Sequence, residues 1–271
     1  MFSQGATDTF LREYQLASAL GHVVVALGRV RPTLWILRSL ASDTQDETST
    51  VALLASFEAA SFLGVTVGFL TESQLQNGTA LEHSTTQPQI ILVPNSTFVQ
   101  DETVAALQSR PRGSVVLASN TTSACLRYEE SGRERPQSAP LRHFLSNLTA
   151  IPVLPAPAMH ALFRAQLLPR LETPPAWCVN ASQPHDGPAF GVLCRFTLLE
   201  NDEEGQAARL VGIVINLRAE PLTVGVMRRS GGPATDAVEL RSGMTVALGT
   251  AGTLLDAGHV LVLQLANEPA G

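Results

Sequence analysis

The chain has 271 residues, enough for about two domains at roughly 150 residues each. Apolar residues make up 45% and charged residues 15%, a balance that folds around a core and excludes a disordered chain. Net charge is −6 and all 18 basic residues are arginine. That excludes a basic field for a nucleic-acid backbone, and the lack of lysine excludes Schiff-base, pyridoxal and P-loop chemistry.

Residues 7–28 predict a helix, with Asp8 as cap and Phe10, Leu11, Tyr14, Leu16, Ala17, Leu20 and Val24 as its apolar stripe. Arg31-Pro32 ends it. Thr33–Leu37 is a continuous apolar run, suited to a strand buried on both faces. Ser42–Thr50 reads as a polar loop, and Val51–Leu63 as a helix closed by Gly64. Strands follow at Val65–Leu70, Gln89–Val93 and Ser114–Ala118, with a short helix or loop over Thr71–Glu82 and a helix over Val99–Ser109. Strand alternating with helix predicts a parallel sheet with helices on both faces, in an open, flavodoxin-like order. Residues 120–140 read as a long mixed-sign loop, solvated or at an interface, carrying Arg127, Arg133, Arg135, Glu129, Glu130 and Glu134. Ala139–Asn147 and Ala156–Leu171 read as helices, and Glu172–Pro175 as a linker.

The pattern changes beyond the linker. Phe190–Leu199, Ala208–Leu217, Leu222–Met227, Ala237–Leu240, Met244–Leu248 and Val260–Leu265 are short apolar runs separated by Gly, Asn and Pro clusters. That spacing predicts a small antiparallel β-sandwich. The expected organisation is a leading helix over 1–30, an α/β domain over 31–172 and a sandwich over 173–271.

Ligands in open α/β sheets sit at the carboxyl ends of the strands, here Ser39, Thr71-Glu72, Asn95-Ser96 and Ser119-Asn120. None lies in a dinucleotide loop or a nucleophile elbow. Ser96 has no glycines to permit a strained turn and reads as a sequon or cap residue. Glu72 is the one cleft candidate, weighed against a solvated loop carboxylate. The six histidines (His22, His83, His143, His160, His185 and His259) have no metal-ligand spacing. No catalytic residue, cofactor site or metal site is nominated, and no carboxylate pair for glycoside hydrolysis presents itself.

Asn77, Asn95, Asn120, Asn147 and Asn180 each open an Asn-x-Ser/Thr sequon, where chance placement gives about one. Thr-rich loops after Asn turns are one reading. Glycosylation in a secretory compartment is the other, and it implies a secreted protein. Met1–Asp8 has neither a basic region nor an apolar core, so no signal peptide is visible; a glycosylated chain of this kind reads as a fragment of a longer one. No apolar run reaches 18 residues, so no membrane span is expected. Cys178 and Cys194 bracket a short segment that a disulfide would close, with Cys125 left over; three ordinary thiols are the alternative.

The first half resembles the region that follows the catalytic barrel in multidomain glycoside hydrolases, bacterial β-galactosidases with a trimerisation domain among them. The matching segments are Leu11–Ala17, Leu34–Ser39, Ala59–Glu72 and Gln89–Pro94. Leu126–Arg133 is similar to an acidic D-E-x-G-R loop of such proteins, and Val214–Leu217 with Leu222–Val224 to strands of their closing sandwich. The resemblance implies a glutamine-amidotransferase-like α/β domain followed by a β-sandwich. It implies a non-catalytic part of an enzyme of carbohydrate metabolism, with the barrel and its two glutamates absent. The implied partners are that upstream barrel, against which the leading helix packs, and a homo-oligomer; carbohydrate is met only indirectly. A free-standing carbohydrate-binding or adhesive module, or a degenerate amidotransferase-like domain, stays open as the alternative.

Overall fold

The computed structural model describes residues 20–78, 90–110, 114–119, 125–171, 175–182, 187–199, 209–228, 231–234 and 236–265. They fall into two compact units, one of residues 31–61 and 65–174 and the other of the remainder.

The first unit is built on a parallel sheet. Its strands are β1 (Leu34–Arg38), β2 (Val67–Thr71), β3 (Ile90–Val93), β5 (Val115–Ser119) and β7 (Thr149–Ile151), in the order β2-β1-β3-β5-β7. Every neighbouring pair is parallel. Two further two-residue strands, β4 (Phe98–Val99) and β6 (Tyr128–Glu129), pair with each other. Strand residues alternate between faces. Leu37, Ile91, Val93, Val116 and Ala118 share one cluster with Val104, Leu107, Leu141 and Leu145 from helices α5 (Asp101–Gln108) and α6 (Ala139–Ser146). Their alternates Leu34, Ile36, Ile90, Leu92 and Leu117 are equally buried, so both faces are covered. Helices α3 (Glu47–Phe62), α4 (Glu72–Gln76) and α7 (Ala156–Gln166) supply further buried residues, Ala52, Ala59, Leu75, Met159 and Phe163 among them.

Two expectations change here. The polar segment 42–50 is helical: α2 (Leu40–Gln45) is capped by Ser39, whose Oγ accepts the Ser42 N–H at 3.2 Å, and α3 starts directly after Asp46. Asp46 accepts the Thr48 N–H at 3.0 Å. Polar side chains at these positions cap helix ends, so polarity there marks two helix starts rather than a loop. The fifth strand, β7, lies among prolines where no strand was expected.

The second unit is a pair of antiparallel sheets. One has the order β13-β12-β15-β10-β9, with β9 (Val192–Leu199), β10 (Arg209–Asn216), β12 (Asp236–Glu239), β13 (Thr245–Ala247) and β15 (Val260–Leu265). The other has β14 (Thr253–Leu255), β11 (Leu222–Met227) and β8 (Trp177–Asn180). Val214, Leu261, Leu263 and Leu265 meet Val224, Val226 and Leu255 in one core. Residues of opposite parity, Val211 and Val262, face the other way and bury Val23 of helix α1 (Gly21–Arg29). Of the stripe expected to face an upstream domain, Leu20 packs on this cluster, because the sheet's outer face is apolar there, and the part before residue 20 lies outside the described residues. Val24 and Val25 on the same helix are 66% and 51% exposed.

Two devices hold the sandwich. Cys178 in β8 and Cys194 in β9 form a disulfide, Cα–Cα 5.7 Å, which joins the two sheets. Asn216 is fully buried; its Nδ2 donates to the carbonyls of Glu220, Leu255 and Asp256, and its Oδ1 accepts the Arg218 N–H. Glu239 closes a turn by accepting the Ser242 N–H at 2.6 Å. Burial alone would raise its pKa, but hydrogen bonds from the Ser242 side chain and from the backbone of Ser242, Arg241 and Val262 outweigh burial and hold it below the ordinary glutamate value.

Replacing Cys194 by alanine is expected to lower the unfolding free energy by about 3 kcal/mol, the value for a loop of this size, read by urea denaturation. Glu239 contributes stability that is complete above the unfolded-state value of about 4.3 and is lost as pH falls through its lower folded value. The melting temperature of Glu239→Gln should therefore fall less steeply with acid than that of the parent chain.

Candidate functional site

The carboxyl edge of the parallel sheet is where an α/β fold of this kind holds a ligand. Here the chain lays its own segment, Asn95–Gln100, across it. The segment leaves the end of β3 and is fastened in turn near the ends of β1 and β2. Asn95 takes a left-handed φ of 52°, and its Nδ2 donates to Asp46 Oδ2 at 3.2 Å and Thr48 Oγ1 at 2.6 Å. The Phe98 carbonyl accepts from Ser39 Oγ at 2.6 Å and Ser42 Oγ at 2.7 Å, and the Phe98 N–H donates back to Ser42 Oγ at 2.9 Å. Glu72, only 9% exposed, accepts the Gln100 N–H at 2.8 Å and the Thr103 hydroxyl at 2.7 Å through one oxygen, Oε2.

The loop expected to be solvated supplies the outer part. β6 pairs with β4, and the Phe98 and Tyr128 rings stack 5.1 Å apart. Arg135 is buried, contrary to the solvated-loop reading: it pairs with Asp101 and donates to the carbonyls of Val99 at 2.7 Å and Tyr128 at 3.1 Å. A buried guanidinium needs such partners; its two terminal nitrogens have them, while Nε is buried without one. Its neighbours remain outside: Arg127 pairs with Glu134 at 3.0 Å, and the hydrogen bond and charge of Glu134 raise the arginine's pKa above its ordinary value.

Ser39, Glu72 and Asn95 are thus brought to one segment, Ser39 spent on a backbone carbonyl, Glu72 on a backbone N–H and a hydroxyl, and Asn95 on two side chains. Glu72 caps the start of α5 and is neither a free cleft acid nor a solvated one. Ser39 and Ser42 face a carbonyl and no base. Ser96 is buried, and its carbonyl accepts the Leu126 N–H. The side chain of Ser119 and all of Asn120 lie outside the described residues, as do His83 and His185. Among the described residues no group of side chains could hold a metal ion. Trp35, one of two tryptophans available as a sugar platform, packs on the core beside its cross-strand partner Gly68, where a Cβ would approach the ring to 2.7 Å.

Of the sequons, Asn77 and Asn147 are exposed, Asn180 is half-buried, and Asn95 is buried. The signal missed in the sequence was Arg135. Its position in a run of alternating charges gave no hint of burial, which depends on the β4–β6 pairing.

No family model matches the sequence, and no curated protein matches it. Among solved structures the chain is similar in fold to an exo-carrageenase GH42 from Bacteroides ovatus, with 16% identity and a TM-score of 0.66 over 93% of this chain. It is also similar to Gan42B, a GH42 β-galactosidase, with 11% identity and a TM-score of 0.55 over 87% of this chain. The chain spans 31% and 40% of the lengths of those two proteins. The shared feature is the fold: a parallel sheet with helices, followed by antiparallel sheets.

Glu72→Ala leaves the Gln100 N–H and the Thr103 hydroxyl buried without their acceptor. It is expected to cost about 1–3 kcal/mol of stability, measured by equilibrium unfolding in urea. An unchanged midpoint would show that this carboxylate does not fasten the segment.

Proposed function

We propose that the chain is a non-catalytic, structural region of a glycoside hydrolase of the β-galactosidase kind, with the chemistry carried on a catalytic barrel in other polypeptide. Its first unit is a flavodoxin- or amidotransferase-like α/β domain whose ligand edge is closed, and its second is an accessory sandwich. The observation that carries this reading is the Asn95–Gln100 segment. It fills the place where such a sheet would bind a ligand, and it uses Glu72, Ser39 and Ser42 to do so. The fold likeness to GH42 chains, over most of this chain and a minor part of theirs, supports the same reading.

A packing role needs an apolar face. Val51, Leu54 and Phe57 recur at three-residue spacing along α3 and are 60%, 57% and 38% exposed. The Phe57 ring lies 5.3 Å from that of Phe69, itself 44% exposed on the edge strand β2. An exposed apolar surface of this kind is a docking candidate. The contact serves the barrel or a second copy of the chain.

The purified chain should not accelerate hydrolysis of an aryl β-galactoside above the buffer rate. Turnover that Glu72→Gln abolishes would place a working acid on this chain and overturn the proposal.

A further inference from the structure

Five of the eight asparagines open sequons, and the structure separates Asn95, Asn147 and Asn180 by what their side-chain amides do. N-glycosylation replaces one of the two hydrogens on Nδ2 by a sugar carbon, so in this fold a glycosylated asparagine needs an N–H without a protein partner and room outside. Asn95 has neither: both N–H groups are engaged, to Asp46 and Thr48, and the residue is 8% exposed. Asn147 is exposed at the C-terminus of α6, and its Nδ2 has one contact, with the ring nitrogen Nε2 of His143 at 3.2 Å. A glycosylated amide keeps one N–H, so that contact survives. Asn180 uses its oxygen instead: Oδ1 accepts the Ser182 N–H at 2.9 Å and the Ser182 hydroxyl at 2.5 Å. The hydroxyl of its own sequon thereby polarises the amide, and neither bond consumes an Nδ2 hydrogen.

The disulfide is an independent observation pointing the same way. Cys178, two residues before Asn180 on β8, is bonded to Cys194, and such bonds form and persist in oxidising compartments. In cells with a secretory pathway those are the compartments where sequons are glycosylated.

We propose that Asn147 and Asn180 are N-glycosylation sites, that Asn95 is not, and that the protein matures along the secretory route. The co-reactant is an oligosaccharide carried on a lipid pyrophosphate. The Nδ2–C1 bond forms as the C1–oxygen bond to the pyrophosphate breaks. The lipid pyrophosphate leaves with the electron pair, and the amide proton passes to a base of the transferase. This inference does not rest on the packing role proposed above.

The test is peptide mapping of the protein isolated from its own cells, after amidase removal of N-glycans in ¹⁸O-water, with the cysteines mapped in parallel. The expected result is ¹⁸O-labelled aspartate at positions 147 and 180, unlabelled asparagine at 95, and a Cys178–Cys194 peptide pair. Unlabelled asparagine at both 147 and 180 overturns the proposal, whether the cysteines are bridged or reduced. Label at 95 overturns the exclusion argued from its hydrogen bonds. In a secreted recombinant chain, Asn147→Gln and Asn180→Gln should each remove one glycan-dependent step in gel mobility, and Asn95→Gln none. Loss of a step with Asn95→Gln, or no step lost with either of the other two, counts against it.

Discussion

The Phe98 carbonyl accepts two hydroxyl hydrogen bonds, from Ser39 and Ser42, at the point where its segment crosses the end of the first strand. The architecture of the first unit turns on that clasp. A parallel sheet leaves an open crevice at its carboxyl edge, and the backbone that closes it must find partners for every polar group it buries. Ser39 and Ser42 supply them at β1, and Glu72 does so at β2. Once Phe98 and Val99 are fixed, β6 pairs beside them and Arg135 is sealed beneath, with Asp101 and two carbonyls as its partners. The same residues that would be searched for catalysis are those that make closure affordable.

The sandwich solves a different problem. Its strands are three to eight residues long, and the unit is cross-linked between separate strands and turns. The disulfide joins the sheets through the core. Asn216 ties the turn after β10 to the carbonyls of Leu255 and Asp256, which lie some 40 residues on. An amide is the one uncharged side chain that both donates twice and accepts, which explains an asparagine at a fully buried position. Helix α1 covers the apolar outer face of the larger sheet, so that sheet is protected on both sides at Val211 and Val262.

Much of this organisation was legible in the sequence, and the losses have a common cause. The four-residue run Ile90–Val93 and the eight-residue strands β9 and β10 announce themselves through sustained hydrophobicity. Thr149–Ile151, Trp177–Asn180 and Thr253–Leu255 are too short to show a period, and the first of them is flanked by proline. Ser42–Thr50 misled because serine, threonine and aspartate favour both loops and helix starts. Arg135 misled because its burial rests on carbonyls 7 and 36 residues away.

Composition and patterning by themselves determined the alternation of strand and helix, the change to short strands beyond residue 175, the absence of lysine chemistry and the excess of sequons. These are local or additive properties, fixed by side-chain type and spacing. Tertiary structure alone decided that Glu72 is a cap, that Arg135 is interior, and that Asn95 is a sequon whose amide is buried and fully hydrogen-bonded. Each of those outcomes depends on which backbone groups a fold brings within about 3 Å of a side chain, and no linear pattern encodes that distance.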